Sequence, residues 1–110
     1  MASIDIDLAR LRGEFDRHSA DRLESMRALL VALEQRPGAR EALEQLRRDF
    51  HAFAGLGTTF GRPLATELAD PAEARISILL QKDSQVTQDD IAEWRRLVGE
   101  LTAYFESAVQ

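Results

Sequence analysis

The chain has 110 residues, 45% of them apolar and 30% charged, with no cysteine and a formal net charge of −5. This is the size of one ordinary folded domain, and its apolar content separates it from disordered chains. The missing thiols exclude disulfide frameworks, cysteine nucleophiles and Cys-ligated zinc or iron–sulfur centres. The acidic balance and an aromatic content of 6% speak against nucleic-acid binding, which needs clustered positive charge. Asp5, Asp7, Arg10 and Arg12 interrupt the N-terminal apolar residues, so no signal-peptide core is present. The longest apolar run, Ala28 to Leu33, is six residues and cannot span a bilayer. A cytoplasmic domain with no membrane contact is expected.

Helical periodicity appears in four segments. The first carries Ile4, Leu8, Leu11, Phe15, Leu23, Met26, Leu30 and Leu33 at steps of three and four, apart from a gap at His18 to Arg22. Asp5 and Asp7 suit a helix start and Pro37-Gly38 a stop. A helix of that length is long for a small bundle, so a bend or a break into two helices is expected near Ser19. The second segment starts near Ala39 and places Leu43, Leu46, Phe50, Phe53 and Gly57 on one stripe. It should fade before Gly61. The third opens at Pro63, a favoured first-turn residue, and continues through Leu64, Leu68, Ala72, Ile76 and Leu79. Asp70-Pro71 predicts a kink or a helix restart within it. The fourth has Thr87 as N-cap and Asp90 as capping-box acid, then Ile91, Trp94, Val98, Leu101, Phe105 and Ala108. Short polar connections join these segments. The expected fold is all-α, a single antiparallel four-helix bundle over residues 1–110.

Of the two histidines, His18 has no carboxylate or second histidine at metal-ligand spacing and reads as a surface residue. His51 lies about 130° from the centre of the second helix's apolar stripe, so it points outward. Its neighbours one and two turns on are Ala54, Gly55 and Thr58, all small, while Arg47 and Arg48 lie one turn back. A solvated helix face normally carries long polar side chains, and a glycine inside a helix costs about 1 kcal/mol. The small residues strip the surface around the imidazole so that another protein's backbone can approach. For Gly57, on the buried stripe, close packing of a neighbouring helix is the simpler explanation.

The stretch His51-Ala52-Phe53-Ala54-Gly55-Leu56-Gly57-Thr58-Thr59-Phe60-Gly61 resembles the signature of the histidine-containing phosphotransfer (HPt) domain. His51, Gly55 and Gly61 match that pattern, whereas Ala54 stands where the family usually has lysine. The resemblance implies a phosphorelay carrier: His51 accepts a phosphoryl group from a receiver aspartate or a sensor histidine kinase and passes it to another receiver. The divalent metal that assists transfer is then held by the receiver, and this chain has no metal or cofactor site of its own. Ala54, Gly55 and Thr58 form the docking surface in this reading. Arg47 or Arg48 replaces the charge of the missing lysine, a guanidinium fork being suited to phosphate oxygens. No nucleotide loop or paired nucleophile and base is legible, so no independent catalysis is expected. A monomer is expected, since Trp94 and Phe105 belong to one core stripe. The alternative is a degenerate helical module that docks a receiver without accepting phosphate, a reading that Ala54 sustains.

Overall fold

A computed structural model describes the backbone of residues 2–109 and the side chains of residues 7–108. The side chains of Ile4 and Asp5 lie outside the described residues. Four helices follow one another: α1 (Ala2–Gln35), α2 (Arg40–Leu56), α3 (Pro63–Gln81) and α4 (Gln88–Val109). They pack as a ring in which α1 touches α2 and α4, and α3 touches α2 and α4. Cross-helix contacts run in opposite directions along neighbours: Arg12 reaches Phe60 while Arg22 reaches Asp49, and Arg27 reaches Thr102 while Arg95 reaches Glu34. The bundle is therefore antiparallel. Burial of one apolar stripe per helix supplies the stabilisation that isolated helices of this length lack.

The expected break near Ser19 does not occur, and α1 continues through it. The gap in the apolar pattern is filled by Ser19 itself, which is completely buried between Phe15 and Leu23 in the core series. The stripe thus steps Phe15, Ser19, Leu23, Met26, Leu30, Leu33 with a small polar residue in one core place. Further toward the N-terminus, Leu8 and Leu11 are exposed, contrary to the stripe that included them. Phe15 marks the edge of the core, stacked on Phe60 and tilted against Phe105.

The expected kink at Asp70-Pro71 is also absent, α3 being one helix with Pro71 inside it. Proline removes the amide that would bond the Glu67 carbonyl, but Pro71 and Glu67 are both exposed, so water can satisfy that carbonyl. The buried face of α3 differs from the expected one as well. It is Ala65, Ala69, Ala72, Ile76 and Leu79, whereas Leu64 is exposed and Leu68 half-buried. Alanines rather than leucines face the core along the first half of α3, which lets it sit close against its neighbours.

The start of α4 follows expectation. The Asp90 amide donates to Thr87 Oγ1 and the Thr87 amide donates to the Asp90 carboxylate, both at 3.1 Å, which is a reciprocal capping box. Ile91, Trp94, Val98, Leu101 and Phe105 are all buried, whereas Ala108, expected on the same stripe, is exposed.

Candidate functional site

On α2, Leu46, Phe50 and Phe53 are completely buried and Leu43 nearly so, which directs the opposite side of the helix to solvent. The His51 side chain is accordingly 65% exposed. What α3 brings to it depends on the turn between the two helices. Gly57 caps α2, and a Cβ there would lie 2.7 Å from the Arg62 carbonyl oxygen, 2.8 Å from that of Phe53 and 2.6 Å from Thr66 Oγ1. Gly57 is thus a packing residue. The Arg62 amide donates to the Gly57 carbonyl at 2.7 Å, and the Thr58 amide donates to Thr66 Oγ1 at 3.0 Å. Gly61 adopts a φ of 75°, where glycine carries no Cβ penalty. Two arginines tie this turn to α1: Arg12 donates to the Phe60 carbonyl, and Arg62 holds the Asp16 carboxylate with two hydrogen bonds of 3.1 and 2.7 Å.

This register carries Glu73 to the imidazole. His51 Nδ1 and Glu73 Oε1 are 2.6 Å apart. An ionised carboxylate only accepts hydrogen bonds, so Nδ1 carries the proton and donates it. Nε2 is then the ring nitrogen with a free lone pair, on a largely exposed side chain. Glu73 itself is 23% exposed, its carboxyl held against the α2 surface. The spacing of His51 with its neighbours on α2 does not reveal Glu73, because the partner lies on another helix. The signal available was the turn: counting outward along α2 and α3 from an antiparallel helical hairpin centred near Gly61 brings His51 within a helical turn of Glu73.

The other expected site residues are divided. Ala54 is half-buried against the core, while Gly55 is exposed and a Cβ added to it meets nothing within 4 Å. Its lack of a side chain is required by no contact among the described residues. Thr58 lies past the end of α2, in the turn, with its hydroxyl 3.2 Å from that of Thr66. Arg48 is turned back along its own helix to Gln45 at 3.1 Å and Glu44 at 3.8 Å. Arg47 makes no ion pair or side-chain hydrogen bond among the described residues. His18 is exposed on α1, at a shallow groove shared with Arg22, Gln45 and Asp49.

Asp49, two residues before His51, faces the other way, toward α1. It is 7% exposed, with one carboxyl oxygen taking Gln45 at 3.3 Å and Arg22 at 3.4 Å. Its second oxygen is buried without a partner among the described residues. Burial pushes this carboxyl above the ordinary carboxylate range, against the opposing pull of Gln45 and Arg22. Among the described residues no group of three or more His, Cys, Asp or Glu side chains could hold a metal ion, and no helix is long and apolar enough to cross a membrane.

The site is thus one exposed histidine, paired with a carboxylate across two helices of an antiparallel bundle. The sequence matches the Hpt domain family over residues 10–104, and the chain belongs to that family, the histidine phosphotransfer modules of two-component signalling. Among solved structures it is similar to the CheA phosphotransferase domain from Thermotoga maritima, with a TM-score of 0.83 and 20% identity, over 92% of this chain and 96% of that one. At that identity the likeness establishes the four-helix fold. A search of curated proteins finds no match.

Proposed function

We propose that this chain is a phosphoryl carrier of a cytoplasmic phosphorelay, with His51 accepting the group from a receiver aspartyl phosphate or a sensor kinase and returning it to another receiver. The observation that carries this reading is the 2.6 Å contact of Glu73 with His51 Nδ1 on a side chain that is 65% exposed. In the forward step the Nε2 lone pair attacks phosphorus in line. The N–P bond forms as the P–O bond to the aspartyl carboxyl breaks, and the electron pair leaves with the carboxylate. No proton need move, because Nδ1 keeps its own and Glu73 faces the positive charge that develops on the ring. The reverse step uses the same contact.

Positive charge for the moving phosphoryl group comes from a divalent ion held by the receiver and from this chain's Arg47. Arg47 is preferred to Arg48 because Arg48 is engaged with Glu44 and Gln45. Ala54 and Gly55 leave room for the partner's backbone above the helix. Carriage without independent catalysis, by a single chain, follows from the same reading.

The test is incubation with a phosphorylated receiver domain. Acid-labile label should appear on the chain and be absent from His51→Gln. Receiver binding without label on the wild-type chain would instead assign a docking module that accepts no phosphate.

A further inference from the structure

The surface around His51 is electrically polarised along the α2–α3 groove. Two contacts set the pairing of the helices across it: Thr58 with Thr66, and His51 with Glu73. Each pair is offset from the other by seven positions, in opposite directions on the two helices, so Ala54 lies across from Asp70 and Gly55 is one residue further along α2. Asp70 also shares the Glu73 side of α3, one turn away. It is exposed and makes no ion pair or side-chain hydrogen bond among the described residues. On the other side of His51, toward the start of α2, stand Arg47 and Arg48. One end of the groove therefore has the cation of Arg47, with Arg48 paired to Glu44, and the other has a carboxylate without a partner among the described residues, beside small residues.

A phosphoryl group on His51 Nε2 would sit between these ends. Arg47 can approach it from one side. On the other side the described residues offer no cation beside His51, but the methyl group of Ala54, the open space above Gly55, the Thr58 hydroxyl and the carboxylate of Asp70, which repels the transferring group. We infer that the partner docks in one orientation, placing a lysine or arginine side chain over Ala54 and Gly55 against Asp70. The cation on that side of the transferring group then comes from the partner. The inference rests on the phosphotransfer reading and adds to it the charge pattern a competent receiver must have. The acidic pole selects for a basic side chain at that point of the partner's surface and against receivers with an acidic one, since like charges brought together penalise wrong partners and opposite charges raise the encounter rate.

The experiment labels His51 of the full chain with phosphoramidate and adds, in the presence of magnesium, a panel of purified receiver domains whose docking surfaces are basic or acidic. The rate of transfer is normalised to the fraction of chain labelled and measured at low and high salt. For the receivers that take the label, Asp70→Lys is expected to slow transfer about tenfold at low salt and Asp70→Asn about threefold, both approaching the wild-type rate in high salt. Accepting receivers are expected to be basic at the docking surface. Transfer at low salt that is unchanged or faster in Asp70→Lys overturns this inference and leaves the carrier reading standing. Failure of the wild-type chain to label or to transfer overturns the carrier reading, and this inference with it.

Discussion

Replacing Glu73 tests the chemistry most directly. The wild-type contact is a hydrogen bond to a charged acceptor, a class worth about 1.5–3 kcal/mol against about 0.5–1.5 kcal/mol for a neutral one. In Glu73→Gln the side-chain carbonyl can still accept from Nδ1, but it no longer faces the ring's developing positive charge with a full negative one. With His51 65% exposed, solvent screens part of that difference. About 1 kcal/mol remains, or roughly a fivefold slower phosphoryl transfer. Glu73→Ala also frees the ring proton to occupy either nitrogen, for a loss of about 1.5–2 kcal/mol and roughly twentyfold in rate. The assay is single-turnover transfer from a phosphorylated receiver, with thermal melting in parallel to show that the bundle is intact. Nitrogen-15 NMR of the imidazole adds a readout that a purely structural residue would not move: the proton should sit on Nδ1 in wild type and redistribute in Glu73→Ala. Equal rates in all three proteins would refute the assignment of Glu73.

Gly57→Ala should destabilise the fold by about 2–3 kcal/mol in urea titration, because its methyl group would meet two backbone carbonyl oxygens at 2.7 and 2.8 Å. Ser19→Ala should raise stability by about 1 kcal/mol, since Ser19 Oγ is buried with no partner among the described residues. Two carboxyls give opposite pH signatures in urea melts between pH 3 and 7. Asp90 is held below the ordinary carboxylate range: burial works upward but is outweighed by the Arg75 guanidinium and the amide and hydroxyl of Thr87. Its contribution is present above the unfolded-state pKa and is lost as pH falls through the lower folded one, so Asp90→Asn should blunt the acid loss. Asp49 is shifted upward by burial, so the folded state favours its neutral form, and stability declines as pH rises from the ordinary value through the raised one. Asp49→Asn should flatten that decline.

The four helical segments, the connections between them and the outward direction of His51 were legible in the sequence, because each follows from periodicity within one segment. Four features were not, and each involves residues whose role is set by a neighbour. Ser19 interrupts the apolar pattern yet occupies a core place, completely buried between Phe15 and Leu23. Pro71 reads as a breaker, but its lost hydrogen bond falls on the wet side of α3. Glu73 looks like any other surface acid until the register of the α2–α3 hairpin sets it against the imidazole. The alanine face of α3 belongs to the same class: periodicity favours the larger Leu64 and Leu68, while close helix packing selects Ala65 and Ala69.

The ties from Arg12 and Arg62 to the α2–α3 turn have an evolutionary consequence. They brace the α2–α3 turn from α1, so the register that pairs Glu73 with His51 rests on them as well as on the Thr58–Thr66 contact. Ala54, Gly55 and Asp70 can then be exchanged as partners diverge without altering which nitrogen of the histidine is free to react. A change at Asp16 or Arg62 is then expected to alter the proposed phosphotransfer with every receiver alike. Partner choice and chemical competence are thereby open to separate selection in a chain of 110 residues.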